Sequence, residues 1–213
     1  MKRSSRAEHI LAQIDAKTKL GDLRKIANDI KKDHELAMEL WSTKKFLPRQ
    51  LALLIMDNKL LSQDLINNLD KDIQTHPLNE RNQLTDWLMA NQLAKSKKAV
   101  TLILSWENST SKLQRRIFWY YQGRLRWMGQ TPPPNNEALL STIESQIENE
   151  EPEVQWAMNF VAGWIGVYDK KWRNRCIALG EKTGLYKGKM VSKGCTPEYL
   201  PEFITIESSK RNL

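Results

Sequence analysis

Apolar residues recur along this chain at spacings of three and four and almost nowhere in alternation, while glycine and proline gather between these runs. Such a chain has helical stripes to bury and no material for a sheet, so the spacing predicts an all-α protein. The runs place coarse helices over 5–16, 22–32, 34–41, 48–58, 62–74, 79–94, 95–106, 111–128, 136–147, 152–168 and 171–180. Short helices without strands between them predict helix pairs stacked in series, as in HEAT-like repeats that build a curved solenoid, an α-α superhelix. The strongest break is Thr131-Pro132-Pro133-Pro134-Asn135, because prolines lack the amide donors that would continue a helix. It is expected to be an inter-repeat loop. Beyond Gly184 the periodicity fades, so the chain divides into a repeat domain over 1–184 and an irregular tail over 185–213, pinned by Tyr199 and Phe203.

Weak self-similarity agrees with repeats. Trp41 precedes Pro48-Arg49-Gln50-Leu51-Ala52, Trp106 precedes Leu113-Gln114-Arg115-Arg116-Ile117, and a third copy is Val154-Gln155-Trp156-Ala157. A stacked, curved array presents a concave face suited to a rod-like ligand.

The formal net charge is +8, which favours an anionic partner without distinguishing nucleic acid from other polyanions. Its distribution says more. Between Lys95 and Gln130 eight basic residues stand against Glu107 alone, and between Lys170 and Lys193 eight stand against Glu181 alone. The stretch from Asn135 to Glu153 carries six glutamates and no base. Segregated charge fits one surface that meets polyphosphate; solvated helix faces of unlike sign fit it equally well. The two cysteines, Cys176 and Cys195, are too few for a disulfide framework and are read as reduced thiols. His9, His34 and His76 lack metal-ligand spacing, so no metal site is expected. With no apolar membrane-length run and no signal segment, a cytoplasmic, non-membrane protein is expected.

Certain motifs, taken in order, resemble the AlkD-like DNA alkylation repair family of HEAT-like-repeat alkylpurine DNA glycosylases. Asp33-His34-Glu35-Leu36-Ala37-Met38-Glu39-Leu40-Trp41, followed by Pro48-Arg49-Gln50-Leu51-Ala52, is similar to that family's N-terminal repeat. The helix of Asp86-Trp87-Leu88-Met89-Ala90-Asn91, the Leu113-Gln114-Arg115-Arg116 helix and the Val154-Gln155-Trp156-Ala157 helix follow in the family's order. The tail Gly194-Cys195-Thr196-Pro197-Glu198-Tyr199 is similar to the close of a short bacterial branch. The resemblance implies base excision repair: a monomer that binds duplex DNA on a basic concave face and excises 3- or 7-alkylated purines with no metal or diffusible cofactor.

Trp87 and Asn91 are four apart and share a helix face. By the resemblance Trp87 is the aromatic wall of the site, and Asn91 stands where the family has its catalytic Asp. Cleavage builds positive charge on the deoxyribose, which a carboxylate stabilises and an amide cannot. Losing such a group typically costs ~3 to 4 kcal/mol of transition-state stabilisation, so the resemblance implies a weakened glycosylase or a lesion binder. It assigns Arg115 to phosphate, with Arg116 as the alternative register. Lys112 joins that DNA-binding set, and Phe160 stands in place of a second tryptophan.

Read from the residues alone, Trp41, Trp106, Trp119 and Trp164 belong to the core, and Trp87 would join them. Gly180-Glu181-Lys182-Thr183-Gly184 is a helix C-cap rather than a phosphate loop. The competing function is a HEAT-like scaffold without enzymatic activity that holds a protein in the same concavity.

Overall fold

The computed structural model describes residues 3–213, which form twelve α-helices joined by short turns, with no strand among them. The fold divides into two compact units, one of the residues up to Ser105 and one of Trp106–Leu213.

The first unit holds α1 (Ser5–Leu11), α2 (Leu20–Ile30), α3 (His34–Trp41), α4 (Phe46–Ile55), α5 (Gln63–Gln74), α6 (Leu78–Asn91) and α7 (Lys97–Leu104). Side-chain caps explain where several begin. Ser4, Asp33, Ser62 and Ser96 each accept from a backbone amide of the turn they open, satisfying a donor that the helix leaves unpaired. Ser96 also explains a difference from the spacing-based expectation: the helix expected over 95–106 begins after this cap, and 93–95 forms a separate 3-10 turn. α5 shows the spacing that makes such helices pack, with Ile66, Leu69 and Ile73 buried on one stripe. α4 is central, since α2, α3 and α6 all pack on it.

The second unit holds α8 (Lys112–Trp127), α9 (Asn136–Gln146), α10 (Pro152–Tyr168), α11 (Lys170–Thr183) and α12 (Leu200–Lys210). α10 is apolar on nearly every side, and it is enclosed by α8, α9, α11 and α12. Residues 185–213 belong to this unit and are irregular only as far as Tyr199, after which they form α12, packed on α10 and α11. The expectation of an irregular tail is corrected here, and the reason is tertiary. A methyl group added at Gly180 would lie 2.6 Å from Leu200 Cβ, and one at Gly166 would lie 2.6 Å from Ile204 Cδ1. Two glycines on neighbouring helices thus seat α12, an arrangement the tail's own periodicity does not announce. Tyr199 is buried and Phe203 packs edge-on to Trp164 at 5.2 Å, so both hold the tail as expected.

Trp41, Trp106, Trp119 and Trp164 are all core residues, as their apolar surroundings indicated. Gly184 adopts a left-handed conformation with φ 62° and closes α11 by its amide to the Gly180 carbonyl, the C-cap expected of that segment. No helix of the described residues is long and apolar enough to cross a membrane.

Candidate nucleic-acid interface

Asn91 is the last residue of α6. The chain turns out of the helix at Gln92, whose buried side chain donates to the Leu53 carbonyl at 2.6 Å and ties the end of α6 to α4. Asn91 Nδ2 donates to the Trp87 carbonyl one turn back, at 3.1 Å. The two residues therefore share a face, both half-buried. One amide hydrogen is engaged in this way, which leaves Asn91 its oxygen and a second N–H to offer.

Asn91 lines a cavity of about 350 Å³ together with Arg24, Asn28, Lys31, Lys32 and Lys95. Four cations thus converge on it. Lys32 reaches Asp57 at 3.5 Å, whereas Arg24, Lys31 and Lys95 have no ion pair among the described residues. α2 and α6 both end here, so their carbonyl ends partly offset the concentration of positive charge. The amide at 91 has an electrostatic consequence. An Asp in its place would be the counter-ion for these side chains, while Asn supplies them no charge. Sequence reasoning did not gather these cations. A signal for them existed: Arg24, Asn28 and Lys31 follow one another at four and three residues, a polar stripe along one helix face.

Lys31 adds a second oddity. It caps α2 with φ 65° and ψ −138°, a conformation side-chain-bearing residues rarely take, and such strain costs about 1–3 kcal/mol. Lys31→Gly should therefore raise the stability of the fold by about 1 kcal/mol, after allowing for glycine's greater unfolded-state freedom. Urea denaturation checks this.

The residues assigned to phosphate in the second unit are engaged internally. Arg115 grips Glu150 with both branches of its fork, Nε to Oε1 at 2.8 Å and Nη2 to Oε2 at 2.9 Å, and also donates to the Ser109 carbonyl. Arg116 is buried, with its guanidinium 4.6 Å from the Trp156 ring centre and a hydrogen bond to the Glu153 carbonyl at 2.7 Å. Lys112 lies 3.3 Å from a Glu153 oxygen. Sequence spacing brought these three cations to the start of α8, but the acidic turn that opens α10 pairs with Arg115 and Lys112 and accepts a hydrogen bond from Arg116. Phe160 sits apart from that turn, stacked on Trp156 at 5.4 Å and touched by Tyr120 and Trp127. Of the second-unit candidates, the structure joins Lys112 and Arg116 through Glu153, and Arg116 and Phe160 through the Trp156 ring.

The thiols differ as their surroundings require. Cys195 is exposed, whereas Cys176 is buried and desolvation pushes its pKa up to about 12. That shift is the opposite of the one that activates a cysteine nucleophile.

The model of the DNA alkylation repair enzyme family matches residues 18–185. The chain belongs to this family. No curated protein matches it. A solved structure described as one of "a new family of proteins related to the HEAT-like repeat DNA glycosylases with affinity for branched DNA structures" superposes with a TM-score of 0.71 at 19% identity, covering 99% of this chain and 90% of that one. The likeness establishes the HEAT-like all-helical fold. In this DNA alkylation repair chain that fold places a neutral amide at the end of α6, among cations of α2 and the turn after α6.

Proposed function

We propose that this protein binds DNA through the basic cavity beside Asn91, prefers branched over linear duplex DNA, and cleaves the glycosidic bond of alkylated purines slowly or not at all. Three cations without an ion-pair partner among the described residues, gathered around a neutral Asn, carry this reading. They supply phosphate affinity while the residue nearest them lacks the negative charge that glycosidic cleavage calls for. Trp87, on the same face one turn earlier, provides an aromatic surface for a sugar or base. The preference for branched DNA follows the affinity attributed to the structurally similar family, and a cavity of clustered charge fits a junction, where phosphates of several strands crowd together.

Two measurements test the proposal. At equal length and moderate salt, a four-way junction should bind about tenfold more tightly than linear duplex. Under single-turnover conditions, the native chain should release no 7-methylguanine from duplex DNA above the spontaneous rate. Asn91→Asp is the comparison: release gained by that variant identifies an otherwise intact site that lacks its carboxylate. Release by the native chain at the variant's rate would overturn the non-cleaving reading.

A further inference from the structure

The second unit contains a smaller cavity of about 190 Å³, lined by Trp156, Asn159, Phe160, Thr196, Glu198 and Phe203. All of these except Asn159 are half-buried, so the cavity opens to the surface. Its walls come from α10, α12 and the segment that leads into α12. Trp156 and Phe160, four residues apart, stack with their planes only 14° from parallel, and Phe203 is the third ring.

The polar groups of the cavity are fixed in orientation. Glu198 accepts from Trp156 Nε1 at 2.6 Å with one carboxylate oxygen and meets Lys189 Nζ at 2.6 Å with the other. Asn159 Nδ2 donates to the Glu198 carbonyl at 2.8 Å. A carbonyl can only accept, so the amide cannot turn over, and Asn159 Oδ1 must be its second polar atom in this arrangement. That oxygen is buried in a residue only 5% exposed and has no protein donor among the described residues. Buried acceptors are nearly always satisfied, and an unpaired one on a residue that lines a cavity points to a donor held in that cavity.

We propose that this cavity receives one unpaired nucleobase bearing an exocyclic amino group, held against Phe203 and the edges of the Trp156 and Phe160 rings and donating to Asn159 Oδ1. A dry cavity of about 150 Å³ accommodates a single benzene ring, so this one suits a six-membered base such as cytosine. Unstacked bases are held on aromatic side chains elsewhere. Lys187 and Lys193, on the segment leading to Glu198, supply charge for the flanking phosphates. The inference rests on the DNA-binding reading and adds to it a base pocket away from the Asn91 cavity.

The test uses three otherwise identical duplexes: fully paired, with one extrahelical cytosine, and with extrahelical 2-pyrimidinone, which lacks the amino group. The native protein should bind the cytosine bulge about tenfold more tightly than paired DNA and lose most of that gain with 2-pyrimidinone. Asn159→Leu should equalise the two bulges, and Phe160→Leu should remove the gain for both. The comparison of DNAs by native protein stands even where a variant folds poorly. Equal affinity for all three would overturn the base pocket and leave the DNA-binding reading in place, whereas no binding to any would overturn both. Free cytidine competing as well as the bulged duplex would overturn the assignment to DNA and identify a nucleoside as occupant.

Discussion

Arg49→Ala should destabilise the first unit by about 3–5 kcal/mol, the cost of opening a buried, hydrogen-bonded charge network. Arg49 is 1% exposed. Its guanidinium lies 4.8 Å from the Trp41 ring centre, and it donates to the Trp41 carbonyl at 3.2 Å and to the Asp72 carbonyl at 2.8 Å. Nη1 also meets His76 Nε2 at 2.7 Å. Guanidinium has no lone pair to offer, so His76 Nε2 accepts and its Nδ1 proton goes to Glu80, at 2.7 Å. Asp72 closes the circuit by accepting from Trp41 Nε1 at 2.7 Å. One side chain on α4 thus satisfies acceptors on α3, α5 and the turn into α6. Removing it strips His76 Nε2 of its donor in the interior and leaves the Trp41 and Asp72 carbonyls with only their local donors, the Lys44 amide and Thr75, and each lost partner is costly. Arg49→Lys should recover little, because an ammonium cannot reproduce the planar fork that reaches several acceptors at once. Urea unfolding followed by circular dichroism measures the effect, and a loss under about 1 kcal/mol would show that the network contributes little.

The largest effect on DNA binding should come from the triple variant Arg24→Ala, Lys31→Ala, Lys95→Ala. Each phosphate neutralised contributes about 0.9 to the slope of log affinity against log salt, so the variant should flatten that slope by about 2–3 and weaken binding about a hundredfold at low salt. Arg115→Ala provides the contrast. Its fork already holds Glu150 in a half-buried pair, so it should lower stability and leave the slope unchanged. Titrations of native and variant proteins at several salt concentrations decide the matter. An unchanged slope in the triple variant together with a reduced one in Arg115→Ala would move the phosphate contact to α8.

Much of the fold was legible in the order of the residues alone. The stripe Ile66, Leu69, Ile73 requires a helix with one buried face, and Asp33 or Ser62 just ahead of such a stripe marks where a helix starts. Tryptophans in apolar runs could be placed in the core, and the ordered motifs could be matched to a repair family. The four-residue interval from Trp87 to Asn91 was enough to put both on one face, because within a helix geometry follows from separation alone.

Partnership across elements was not legible. Arg115 and Arg116 differ in fate because Glu150 and the ring of Trp156 approach from another part of the chain, 35 and 40 positions further along. The cations in and just after α2 share a cavity with Asn91 because Gln92 ties the end of α6 to α4. Local periodicity tells a side chain which way to face. The distant residue that meets it there, and therefore whether a basic side chain is a structural pin or a free cation awaiting phosphate, is decided by packing between segments that hold no record of one another in sequence.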